Sequence, residues 1–246
     1  MKLNESSQPD TDLGSPGPSA APPAWPSRTA SAQVSVPSLV EVAADSIREM
    51  ILSGRLEPGA RLIEERLTDE LGISRPPLRE AMRMLQQEGL IETRPRRGSV
   101  VATLTEQDVF EILTLRKALE RLALELAVPV KNVERLEACR AALREMERSA
   151  QAKDRGSLVE SGYVFHASIV ALAGHRRLSD SYASVQQELL LCMARNLYVR
   201  EKYHEDLEQH VARHRHLLEL IEEGDLDKVM TEFANHGEGS FTERRK

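Results

Sequence analysis

The sequence predicts a mainly α-helical chain: a small unit of three helices closed by one β-hairpin, then an all-helical unit of six helices. Three observations carry this. Leu, Ala, Glu and Arg dominate, all good helix formers, and aromatic residues make up only 4%, which speaks against a β-sandwich or barrel. Apolar residues recur at helical spacing in most segments after residue 38. A single stretch, 90–102, reads as two short strands around a Pro/Gly turn. At 246 residues the chain is long enough for two folded domains.

Composition excludes several classes. Two cysteines, Cys139 and Cys192, offer no disulfide framework and fit a reducing cytoplasm. No run of about 18 apolar residues exists to span a membrane. The net charge of −6, from 33 basic and 39 acidic side chains, excludes a surface coated in positive charge, but leaves room for a local basic patch. Residues 1–37 hold seven of the twelve prolines among Ser, Ala and Gly, and read as a disordered tail rather than a signal peptide. Trp25 is read as a chance aromatic there, with a docking peptide as the alternative.

The first folded unit is expected over 38–103. A helix over 39–51 places Val40, Ala43, Ala44, Ile47 and Ile51 on one stripe, and Gly54 stops it. A short helix over 64–71 ends at Gly72, which takes the left-handed position after a helix. A third helix runs over 75–88 to Gly89, and strands over 90–93 and 99–102 flank the turn 94–98. Helix, Gly turn, helix and hairpin make a winged helix-turn-helix. The segment is near neutral, with 10 Arg against 11 acidic residues, yet 75–97 holds six Arg against three Glu. Arg75, Arg79 and Arg83 repeat every four residues and share a face, opposite Leu78, Met82 and Leu85. The guanidinium fork matches a phosphate, or the two acceptors on the major-groove edge of guanine. Pro76 and Pro77 fall in the first helical turn and remove the donors Ser74 would cap, leaving its hydroxyl for a phosphate.

The run LGISRPPLREAMRMLQQEGLI followed by RPRRG resembles the DNA-binding domain of the GntR family of bacterial transcriptional regulators. The resemblance implies that Arg75 and Arg79 meet a double-stranded operator, beside the Ser74 hydroxyl left for a phosphate. It also implies that Arg96, Arg97 and Gly98, at the hairpin tip, enter the adjacent minor groove.

Over 104–246 six helices are expected: 106–127 capped by Thr105, 132–153 opened by Asn132, 157–173 with Ser157 and Glu160 as a capping box, 179–198 opened by Ser179, 205–223 ended by Gly224, and a last one capped by Asp225. In the first of these the apolar stripe reads Ile112, Leu115, Leu119, Leu122 and Leu126. Short links imply antiparallel neighbours and a bundle. Five of the seven histidines lie in the last 43 residues. His166 falls among Tyr163, Phe165, Ile169 and Val170 and should face inward, and His210 and His214 lie one turn apart. Imidazoles meeting in a bundle core can hold zinc, nickel or copper.

The order LRKALE, FHASIVALAGHRRL, HRHLLELIEEGD, FANH resembles the FadR-type (FCD) ligand-binding domain, in a six-helix arrangement like the VanR subgroup. The resemblance implies a divalent metal, zinc or nickel, on His166, His214 and His236. The family's aspartate position, four residues before His166, is Gly162 here. It also implies an effector site with Arg116 and Tyr163, taking a small organic acid or sugar acid. Arg116 is read equally well as an ion pair with Glu120, one turn along. The implied protein is not an enzyme: it is a cytoplasmic, nucleoid-associated homodimer on a palindromic operator, acting as a repressor. Two other readings compete, an effector-independent architectural DNA-binding protein and a metal-dependent hydrolase. The second lacks support: His204-Glu205 is not followed by the histidine that HExxH requires.

Overall fold

The computed structural model describes residues 37–203 and 206–236. The expected tail and His204-Glu205 lie outside the described residues. Three helices come first: α1 (Leu39–Leu52), α2 (Glu64–Leu71) and α3 (Arg75–Gln87). The antiparallel hairpin β1 (Ile91–Arg94) and β2 (Gly98–Val101) follows, with Ile91 opposite Val101 and Arg94 opposite Gly98. Seven helices complete the described chain: α4 (Glu106–Ala127), α5 (Val133–Ala152), α6 (Arg155–Leu172), α7 (Arg176–Ala183), α8 (Gln186–Tyr203), α9 (Leu207–Glu223) and α10 (Leu226–Asn235). A winged helix-turn-helix thus precedes an all-helical unit.

Local chemistry sets most of these boundaries. Ser38 caps α1 and Thr105 caps α4 in reciprocal boxes with Glu41 and Asp108, so both helices begin where two backbone donors are satisfied. Gly72 ends α2 at φ 65°, a left-handed conformation that glycine adopts without penalty. Leu78, Ala81 and Leu85 of α3 are fully buried against α1 and α2, while its arginines are exposed. In the helical unit α5 and α6 form the central pair, α4 and α8 pack on α6, and α9 packs on α5. The last helix, α10, lies on α9 and α4.

Three expectations of detail are corrected. The segment expected as one helix from Ser179 is two, α7 and α8, meeting at Ser184-Val185. No Gly or Pro marks the break; the apolar period runs on across it, and the bend leaves both Tyr182 and Leu189 fully buried. The helical unit therefore has seven helices among the described residues rather than six. The start of α7 is set by His175, whose Nδ1 accepts from the Leu178 N–H. The Ser157 and Glu160 capping box is likewise replaced. Asp154 caps α6 one turn earlier, accepting from the backbone N–H and the hydroxyl of Ser157. Finally, the α4 stripe is split. Ile112 and Leu119 pack on the core, but Leu115, Leu122 and Leu126 are exposed; α4 buries Val109, Glu120, Ala123 and Leu124 instead.

The two units share a boundary. A Cβ at Gly156 of α6 would lie 3.2 Å from the Glu49 side chain and 3.4 Å from its carbonyl, so glycine there lets α6 come close to α1. Leu52 of α1 belongs to the core of the helical unit, and Leu191 of α8 packs on the core of the winged unit.

Candidate functional site

The winged unit presents its charge on the outside. Arg75, Arg79 and Arg83 line the exposed face of α3. The Arg79 Nε lies 3.0–3.1 Å from both carboxylate oxygens of Glu64 on α2, and its Nη2 lies 3.0 Å from one of them. Both partners are largely solvated, and such pairs contribute no more than about 1 kcal/mol, so a phosphate or a guanine edge can displace the carboxylate cheaply. Arg83 is similarly held by Glu80, one turn back. Ser74 precedes α3 in extended conformation, and its hydroxyl makes no capping bond. At the hairpin tip the Arg97 N–H donates to the Arg94 carbonyl around Pro95 and Arg96. Arg96 sits at φ 64° and Gly98 at φ 72°. An L-residue in the left-handed region costs on the order of 1 kcal/mol, so the chain keeps an arginine where glycine would be easier.

The second site is buried and assembled from five helices. On α4, Arg116 Nε donates to Glu120 Oε1 at 2.7 Å. Tyr182 of α7 donates its hydroxyl to the same oxygen at 2.8 Å. The other oxygen, Oε2, lies 3.1 Å from His166 Nδ1 on α6. Burial works to raise the Glu120 carboxyl, but Arg116 beside it, with His166, more than reverses this and holds it below the ordinary carboxylate range. Glu120 is therefore an anion, and His166 is the donor in that contact. Its Nε2 is then left as a lone pair. On α9, His214 Nδ1 lies 2.8 Å from the His210 carbonyl, which it can only meet as an N–H donor, so its Nε2 is also a lone pair. These two Nε2 atoms face each other at 3.3 Å. His236, at the end of α10, brings a buried Nδ1 with no hydrogen-bond partner. Burial pushes all three imidazoles below the usual histidine range, which keeps them neutral.

Lone pairs facing each other in a buried site repel unless a proton, a water or a metal ion lies between them. The three histidines offer ligand atoms within 4.8 Å of one another. Two imidazole nitrogens on one tetrahedral zinc, at about 2.0–2.1 Å each, sit about 3.3 Å apart. The residues therefore fit a borderline divalent ion. The contacts of His166 with Glu120 and of His214 with a carbonyl are the outer partners that orient metal-bound histidines elsewhere. No carboxylate joins the cluster at Gly162. A Cβ there would lie 3.2 Å from the Met193 methyl, so a thioether side chain fills that side.

A cavity of about 50 Å³ adjoins the histidines, lined by Arg116, Asn196, His210 and Arg213 among others. The Asn196 Oδ1 is buried there without a partner. Arg116 makes the expected ion pair, with its Nε committed to Glu120, and its guanidinium also lines the cavity. Tyr163 does not line the cavity. It is buried against Tyr182, ring centroids 5.7 Å apart, and so backs the tyrosine that holds Glu120. Sequence reasoning missed Glu120 as part of the cluster, along with Tyr182, Asn196 and Arg213. The only signal for Glu120 was its place one turn after Arg116.

Fold and surface define the class: a winged DNA-binding unit joined to a helical unit with a polar interior site. Comparison with known proteins agrees. Residues 39–101 match the model for bacterial regulatory proteins of the gntR family, and residues 111–239 match the FCD domain. The chain belongs to the GntR family, with an FCD domain at its C-terminal side. It is 29% identical over 204 residues to the HTH-type transcriptional regulator YdhC of Bacillus subtilis, covering 73% of this chain and 91% of that one. It is 30% identical over 203 residues to an HTH-type transcriptional regulator encoded in an unstable DNA locus of Streptomyces ambofaciens, covering 77% and 78%. It is 29% identical over 187 residues to the gluconate operon transcriptional repressor of Bacillus licheniformis, covering 75% and 76%. A GntR-type regulator structure from Rhodococcus shares the fold, with a TM-score of 0.63 at 22% identity over 81% of this chain and 93% of that one. These are transcriptional regulators, not enzymes. Among the described residues no helix is long and apolar enough to cross a membrane.

Proposed function

We propose that the chain is a cytoplasmic, homodimeric repressor whose operator affinity is set by a small organic acid in the helical unit, beside a divalent metal held by His166, His214 and His236. The observation that carries this reading is the pair of facing imidazole lone pairs with the unpartnered His236 nitrogen next to them. A metal there would anchor a carboxylate electrostatically. The chain's own residues do the rest. Glu120, fixed by Arg116 and Tyr182, holds the ring of His166 in place and supplies negative charge near three neutral donors. Arg116 and Arg213 line the cavity to receive the anion, and Asn196 offers an acceptor to a hydroxyl on it. The small cavity favours a short acid over a sugar acid. A relative named as a gluconate operon transcriptional repressor supports repression.

On the DNA side Ser74, Arg75 and Arg79 stand at the N-terminal end of the recognition helix, the part that meets base edges in this fold. Arg96, Arg97 and Gly98 form the wing tip. Leu115, Leu122 and Leu126 give α4 an exposed apolar face, which supports pairing with a second copy. Two copies would read half-sites about one helical turn apart. The test begins with selection of a palindrome from random duplexes. Short carboxylic acids are then titrated against the complex by fluorescence anisotropy. The His214→Ala variant should bind the operator normally without acid and respond less to it. A full response in that variant would contradict the reading.

A further inference from the structure

A second cavity, of about 260 Å³, opens where the winged and helical units meet. Ile51 and Leu52, at the end of α1, form one apolar wall and are at most 5% exposed. Leu191 and Ala194 of α8 form another, and the Tyr198 ring stands beside them, 58% exposed. Concave apolar sites with a few polar groups, placed between domains, are where small molecules most often bind. Of the charged residues here, Arg155 is committed to Glu201, with two contacts of 2.6 Å, and Glu57 is exposed in the loop after α1. Arg195, on α8, makes no hydrogen bond or ion pair among the described residues. An apolar wall beside one uncommitted guanidinium matches a molecule with a hydrocarbon body and a single anionic head.

We propose that this junction is a second small-molecule site, taking an apolar organic monocarboxylate whose carboxylate meets Arg195. It is distinct from the histidine site and does not rest on it. One wall belongs to the DNA-binding unit and the other to the helical unit. The ligand therefore binds best when both walls are in place.

The test is calorimetry on the full chain with 2-naphthoate, and with 2-naphthalenemethanol as the uncharged probe of the same shape. The carboxylate should bind at one site per chain, roughly tenfold tighter than the alcohol, the worth of one charge-assisted hydrogen bond. Arg195→Gln, at an exposed position, should bring the two probes to equal affinity. Ala194→Phe should fill the wall and weaken both roughly tenfold or more. Absence of saturable binding, equal affinity of the two probes for the unaltered chain, or a carboxylate preference that survives Arg195→Gln would overturn the proposal. The Arg195→Gln arm decides even if Ala194→Phe fails to fold.

Discussion

The two polar sites of this molecule are built on opposite principles. The recognition helix carries Arg75, Arg79 and Arg83 on one exposed face, spaced four residues apart on a single element, and the last two are held by solvated carboxylates. The histidine cluster draws Glu120, His166, His214 and His236 from α4, α6, α9 and α10, and buries them. An exposed ion pair is worth at most about 1 kcal/mol and exchanges readily for a phosphate. A buried one gives little net stability when intact, but leaves an uncompensated charge when one partner is lost. Surface chemistry can thus be altered with little structural cost, while the buried cluster is tied to the integrity of the fold.

The contrast can be broken or sharpened by substitution. The largest effect is expected at Glu120. Replacing it with Gln leaves Arg116 buried without a counter-charge and should cost about 3–5 kcal/mol, measured by urea unfolding. The double variant Arg116→Met/Glu120→Gln should recover much of that loss, and a mild single variant would show the pair to be solvated after all. The same Gln variant should lower metal affinity about 10–100-fold in chelator competition, as outer partners of metal-bound histidines do. Saturating zinc, at about 100 times its dissociation constant, should stabilise the unaltered chain by about 2.7 kcal/mol, and a thermal scan with and without zinc reads this directly.

Smaller effects belong to the surface. Arg79→Ala should weaken operator binding by about 1–3 kcal/mol while changing stability by no more than about 0.5 kcal/mol. A fall in stability matching the fall in affinity would mean that Arg79 is structural. Arg96→Gly relieves the left-handed backbone at the wing tip and should stabilise the chain by up to about 1 kcal/mol, yet weaken DNA binding. Unaltered DNA affinity would remove the wing tip from the interface.

The same contrast explains what could be read from the sequence. The winged unit was legible almost residue by residue, because caps, the Gly72 turn and the arginine repeat are local signals. The second helix was placed at its observed limits, and the third missed by one residue. Three of the cluster's members, His166, His214 and His236, could be named from a family resemblance. Their convergence could not be derived from spacing, since 48 residues separate His166 from its facing partner His214. Glu120 was hidden because an i,i+4 ion pair on a helix is usually a solvated surface pair. The break between α7 and α8 was hidden because nothing local signals it. The exposure of Leu115, Leu122 and Leu126 was hidden because periodicity cannot tell a buried apolar face from one left exposed.

The central claim is that three neutral imidazoles, with Glu120 as an outer anion, suffice to hold a metal without a carboxylate ligand. Metal content per chain tests it most directly, measured on untagged protein purified without chelator, alongside a His236→Ala variant. The account predicts about one zinc or nickel ion per chain, lost in the variant. A metal-free chain that takes up no zinc on dialysis, or a variant that keeps its metal, would contradict it.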